Sequence, residues 1–106
     1  MAVTKEENKP ALTAQYDQNG DVLHIAVGEP RPSEGEHLKN GIVVRYPFDD
    51  PGHAWAVTVI GYKANLWHSR TDELAPQIAH LFGVNSRDVI AVIGRVTRIR
   101  TQDLRI

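Results

Sequence analysis

The chain has 106 residues, with 12 basic and 13 acidic side chains, a net charge of -1 and no cysteine. That length fits one domain able to bury a core without covalent staples. Disulfides, thiolate chemistry and cysteine-bound zinc are excluded, and the near-neutral balance gives no overall signal for nucleic acid or an anionic membrane. No run approaches the roughly 18 apolar residues of a membrane span, and the polar start has no apolar signal core. A cytoplasmic protein with no membrane partner is expected.

Residues 1–10 carry Lys5, Glu6, Glu7 and Lys9 and read as a disordered N-terminal tail. A single α+β domain is expected over 11–98, followed by a basic C-terminal tail over 99–106. Leu12 to Asp17 alternates apolar and polar residues, and so does Val22 to Val27. Asn19-Gly20 between them predicts a hairpin with a two-residue loop. Its register then sorts the residues. Leu12, Ala14 and Tyr16 oppose Val27, Ile25 and Leu23 on an apolar face, while Thr13, Gln15 and Asp17 oppose Ala26, His24 and Val22 on a wetter one.

Gly28 to Asn40 contains two glycines, two prolines and three glutamates and reads as a long loop. Gly41 to Tyr46 is a third strand, Pro47 to Gly52 a turn, and Ala54 to Tyr62 a fourth, central strand with Trp55, Val57 and Val59 on one face. After a connector with an exposed-looking Trp67, the period changes. Leu74, Ile78, Leu81 and Phe82 form a helical stripe that Gly83 closes, with Thr71 and Asp72 as caps. Pro76 conflicts with that start, so the helix either begins near Glu73 or Leu74 or has a distorted first turn. Ser86 can cap a second helix over Arg87 to Val96, although the β-branched run Val89 to Ile93 is also compatible with a strand.

Chemical signatures are sparse. Asp17-Gln18-Asn19-Gly20-Asp21 resembles the start of a calcium loop, but its Gly comes fourth rather than sixth and Gly28 stands where the closing Glu belongs. The five histidines (24, 37, 53, 68 and 80) show no i, i+3 or i+4 helical spacing. There is no nucleophile elbow or phosphate-cradling glycine loop, and Asp49-Asp50 is an exposed turn pair. No catalytic residue, cofactor or metal ligand is assigned, and the chain is not expected to be an enzyme. His24 is the one hairpin residue that folding does not require, which makes Gln15 and His24 the candidate contacts on the sheet face.

Helix-turn-helix motifs resemble Gln77 to Ile93, with Ala79, Gly83, Val84, Val89 and Val92 at the packing positions. Asn85, Ser86 and Arg87 would then meet a DNA groove, and Arg95, Arg98 and Arg100 its phosphates. From Arg87 onward five arginines face two aspartates. An ordinary helical hairpin on a sheet has the same packing needs, and no upstream helix completes a three-helix core.

Tyr16-Asp17, Asp21, Leu23 and Ile25, followed by Gly41 to Tyr46 and Ala54 to Ile60, resemble the bacterial domain-of-unknown-function family numbered 2283. The resemblance covers residues 16–62. It departs at His24, where that family has a second Tyr, and in the longer turn at 47–53. It implies a small β-rich fold with no established activity, in a family whose members often look like halves of two-gene modules. That suits an antitoxin-like or regulatory role.

These readings predict an α+β fold: a four-stranded, mostly antiparallel β-meander with one or two C-terminal helices packed on one face. Leu12, Tyr16, Leu23, Ile25, Val27, Val43, Trp55, Val57, Val59, Leu74, Ile78, Leu81, Phe82, Val89 and Val92 are expected in its core. The leading function is a small non-enzymatic binding protein, the regulatory partner of a neighbouring gene product. A protein partner, or a homodimer through an unpaired sheet edge, is expected. The alternative is a DNA-binding protein using residues 74–96, and a small enzyme with an unrecognised site comes third.

Overall fold

Strands β1 (Leu12–Asp17) and β2 (Val22–Val27) form the expected hairpin in a computed structural model that describes residues 11–97. The two expected tails lie outside the described residues, and so do Arg98 and Arg100. The pairing runs from Leu12 opposite Val27 to Asp17 opposite Val22, the register that the apolar alternation dictates. The turn differs from the expected Asn-Gly loop. Neither Asn19 nor Gly20 is left-handed; Asp21 is, at φ 56. Asp17 Oδ1 accepts the N–H groups of Asn19 at 3.0 Å and Gly20 at 3.2 Å, so a side chain closes the turn.

The expected loop over 28–40 contains a strand. β3 (Ser33–His37) pairs antiparallel with β4 (Ile42–Pro47), from Ser33 opposite Pro47 to His37 opposite Val43. The sheet therefore has five strands rather than four. The last strand, β5 (Ala56–Ile60), lies between β2 and β4, which gives the antiparallel order β1-β2-β5-β4-β3. This is not a meander: two local hairpins are joined by a strand that arrives after both.

Two helices follow, α1 (Thr71–Phe82) and α2 (Ser86–Thr97), so the helix is the form that residues 87–96 adopt. α1 begins ahead of Pro76. Neither Thr71 nor Asp72 caps it; the Arg70 carbonyl accepts the Glu73 and Leu74 N–H groups at 2.9 and 3.1 Å. Pro76 leaves the Asp72 carbonyl without its helical donor, and both residues are exposed to water. Gly83 ends α1 in the left-handed conformation, φ 72, while Val84 N–H reaches back to the Ala79 carbonyl at 3.0 Å. Asn85 rather than Ser86 caps α2: its Oδ1 accepts the Arg87 N–H at 2.9 Å.

Leu23, Ile25, Ile42, Val44, Val57 and Val59 share one sheet face by strand alternation. They belong to one buried cluster with Leu74, Ile78 and Phe82 of α1 and Val89, Val92 and Ile93 of α2. Val43 is buried as expected, at 7 % exposure, but on the opposite face, because Ile42 and Val44 take the inward positions of β4. One core expectation is corrected: Trp55 is displaced. Arg45 pairs with Ala56 yet its carbonyl also accepts the Trp55 N–H at 3.0 Å, so two residues oppose one in a β-bulge. Ala54 is thereby left in the core and Trp55 outside it. Trp67, expected to be exposed, is only 4 % exposed. Its ring is stacked by the Arg70 guanidinium at 4.2 Å, and its indole N–H donates to the Asn40 carbonyl at 3.4 Å.

Candidate functional site

The strand registers line up the side chains of the sheet face opposite the core. One row crosses all five strands: Gln15, His24, Thr58, Val43 and His37. His24 Nδ1 and Thr58 Oγ1 are hydrogen-bonded at 2.9 Å. The next row is Thr13, Ala26, Ala56, Arg45 and Gly35, a shallow trough because three of its members have a methyl group or no side chain. A Cβ on Gly35 would lie 3.5 Å from Arg45 Nη1, so the guanidinium runs over this glycine. The bulge turns Trp55 into the end of the trough, where its indole N–H donates to Ser33 Oγ at 2.9 Å. A cavity of about 250 Å³ results, lined by Thr13, Gln15, His24, Ala26, Pro30 and Trp55 among others.

Gln15 and His24 are thus neighbours, as the hairpin register requires. Sequence reasoning missed Thr58, Val43, His37, Arg45 and Trp55, whose proximity to them depends on strand pairings distant along the chain. On this face Thr13, Gln15, His24, Arg45 and His37 are exposed and Ile60 at its edge is 47 % exposed, whereas Val43 and Ala56 are buried between them. Arg45, His24 and His37 are its basic groups. Its one carboxylate, Asp17, is occupied with the turn.

A second cluster ties the hairpin tip to the loop after β5. Asp21 Oδ1 accepts the Tyr16 hydroxyl at 2.7 Å and the Lys63 N–H at 2.8 Å, Oδ2 accepts the Ala64 N–H at 2.9 Å, and the Asp21 carbonyl accepts the Gly61 and Tyr62 N–H groups at 2.8 and 3.1 Å. Desolvation disfavours the Asp21 carboxylate, but these donors and the Lys63 charge outweigh it and hold the pKa below the usual carboxylate range. Desolvation first, then the hydrogen bond and charge of Asp21, push the Tyr16 pKa up to about 12. The turn alone therefore does not account for Asp21: its carboxylate is a tertiary anchor.

The remaining candidates are dispersed. Asp49 pairs with Arg31 at 2.8 Å and Asp50 lies 3.8 Å from His53, so the two adjacent carboxylates turn to different partners. Among the described residues, no group of three or more His, Cys, Asp or Glu side chains is arranged to hold a metal ion. Ala79, Val89 and Val92 are buried, Val84 is half-buried, and Gly83 makes the turn, as the helix-turn-helix likeness requires. Arg87 and Arg95 are exposed on α2, Ser86 is its first residue, and Asn85 Oδ1 is engaged by the Arg87 N–H. No described helix is long and apolar enough to cross a membrane. No protein-family model, curated protein or solved structure matches the chain.

Proposed function

We propose that this chain is a small non-enzymatic binding protein of the cytoplasm, an antitoxin-like or regulatory partner of a protein encoded beside it. The sheet face opposite the buried cluster holds that partner. The observation that carries this reading is the row Gln15, His24, Thr58, Val43 and His37 beside a trough walled by Trp55. The exposed side chains of this face, Gln15, His24, Arg45 and His37, are the ones a second protein meets. The apolar trough of the face gives contact area, its amide, imidazole and hydroxyl give direction, and the Arg45 guanidinium favours an acidic segment. The resemblance of residues 16–62 to the family numbered 2283 supports the same role.

Co-expression with the product of the adjacent gene tests it. The two proteins are expected to co-purify, and Arg45→Glu or the double change Gln15→Ala, His24→Ala is expected to release the partner while the fold persists by circular dichroism. Recovery of the chain free of that product, or capture indifferent to these changes, would count against the reading.

The second reading is DNA binding through α1, the Gly83 turn and α2, favoured by exposed Arg87 and Arg95 near the start and end of α2. Fluorescence anisotropy with duplex DNA at low salt tests it. Binding that weakens steeply with salt is expected, and a flat titration would end the idea.

A further inference from the structure

The two edges of the sheet are built differently. β3 presents exposed Glu34 and Glu36, which discourage the addition of another strand. β1 has no charged side chain from Leu12 to Tyr16 and no proline. The Ala11 carbonyl accepts the Gly28 N–H at 2.9 Å, which fixes the phase of the ladder. By antiparallel alternation, the backbone groups of Thr13 and Gln15 face β2, and those of Leu12, Ala14 and Tyr16 face away from the sheet. Among the described residues, no strand pairs with them. Their side chains agree. Leu23 and Ile25 on β2 are buried, whereas Leu12, Ala14 and Tyr16 on the same face are only half-buried.

Beside this edge, α2 lies against β1 and borders a groove of about 710 Å³ lined by Leu12, Val84, Asp88, Ala91, Val92 and Arg95 among others. Asp88 and Arg95 are two helical turns apart, about 10 Å along the axis, with Ala91 between them. Neither makes an ion pair among the described residues.

We propose that a second copy of this chain occupies the edge, with β1 of each copy paired antiparallel and centred on Ala14. Leu12 then pairs with Tyr16 of the second copy, and the outward N–H and C=O groups of residues 12, 14 and 16 are satisfied. The half-buried Leu12 and Tyr16 cover one another. A twofold axis perpendicular to the sheet makes α2 antiparallel to its copy. Asp88 of each chain therefore faces Arg95 of the other across the two Ala91 residues, whose small side chains permit a close approach. This self-complementary spacing of opposite charges selects a second copy over an unrelated strand. The surface is distinct from the sheet face opposite the buried cluster and does not depend on its role.

Sedimentation of the full-length chain over a micromolar concentration range is the test. The expected species has twice the chain mass of 11.8 kDa. Asp88→Arg and Arg95→Asp are each expected to weaken association by about tenfold, and the double variant D88R/R95D to restore it, because the swap recreates both pairs. Circular dichroism checks that each variant is folded. A monomer at every concentration, a dimer indifferent to the single changes, or a double variant that fails to recover would each overturn the proposal. Arg45→Glu is expected to leave the dimer intact, so loss of partner capture and loss of self-association report on separate surfaces.

Discussion

Asp21→Ala removes the carboxylate that accepts the Tyr16 hydroxyl at 2.7 Å and the Lys63 and Ala64 N–H groups at 2.8 and 2.9 Å. A hydrogen bond to a charged group contributes about 1.5–3 kcal/mol in a shielded site, and half-exposure reduces this to about 1 kcal/mol each. The left-handed backbone at φ 56 adds about 1 kcal/mol, because Ala tolerates it less well than Asp. The expected loss is about 3–4 kcal/mol, a large share of the roughly 5–15 kcal/mol that holds a typical domain folded. Asp21→Gly relieves the backbone but loses the bonds, and Asp21→Asn keeps one acceptor oxygen and the backbone tolerance. The order of damage is therefore Ala, then Gly, then Asn. Urea unfolding followed by the fluorescence of buried Trp67 measures it. An Ala variant within about 0.5 kcal/mol of the parent, the range of an ordinary surface change, would refute the anchoring role.

The same anchor predicts pH dependence at both extremes. The folded Asp21 pKa is lowered, so near its titration the native state binds fewer protons than the unfolded chain. Its contribution is complete above the ordinary carboxylate range and is lost as pH falls through that range and below; Asp21→Asn should flatten this limb. The Tyr16 pKa is raised from 10.0 to about 12, so its contribution is complete below pH 10 and is lost as pH rises toward 12. Tyr16→Phe should flatten the alkaline limb, with both limbs read from urea midpoints against pH.

Gly41→Ala drives a Cβ into the Ile60 carbonyl oxygen at φ +78, so the two backbones must separate. A loss of about 3 kcal/mol or more is expected, visible as a lowered melting temperature. Asn85→Ala removes the α2 cap and should lose about 1 kcal/mol by urea titration. Gly94→Ala acts in the opposite direction. Nothing lies within 4 Å of the new methyl group, so better helix propensity should stabilise the chain by about 0.5–1 kcal/mol.

The first hairpin was legible residue by residue because two alternating segments flank a short turn, and a one-residue slip would put every apolar side chain on the wrong face. The helices were legible from their apolar stripes and from Gly83. β3 was hidden because Ser33-Glu34-Gly35-Glu36-His37 has no apolar side, and a strand at the sheet edge needs none. The place of β5 was hidden for another reason: turn chemistry specifies which neighbours along the chain pair, and β5 pairs with strands that are not its neighbours. The candidate face divides in the same way. Gln15 beside His24 follows from the hairpin, whereas Thr58, Val43 and His37 join them only through the positions of β5, β4 and β3. Trp55 was misplaced because the bulge breaks the alternation that put it in line with Val57. Asp21 looked like turn grammar because its N–H partners lie more than forty residues away.

The position of β5 also sets an order of events during synthesis. Both hairpins are complete once Pro47 has emerged, yet each is a two-stranded ribbon, marginal in water by itself. Until residues 56–60 arrive, β2 and β4 are both raw edges, with Leu23, Ile25, Ile42 and Val44 still without the strand that lies between them. The nascent chain is thus most prone to mispairing in the interval between Pro47 and Ile60, a window of barely a dozen residues. At the end of it a single segment docks on both sides at once. Such a closing step makes assembly all-or-none and ties the folding rate to the non-local contacts of one strand. Changes that weaken β5 should therefore slow folding, and changes confined to the β3 edge should act mainly on unfolding.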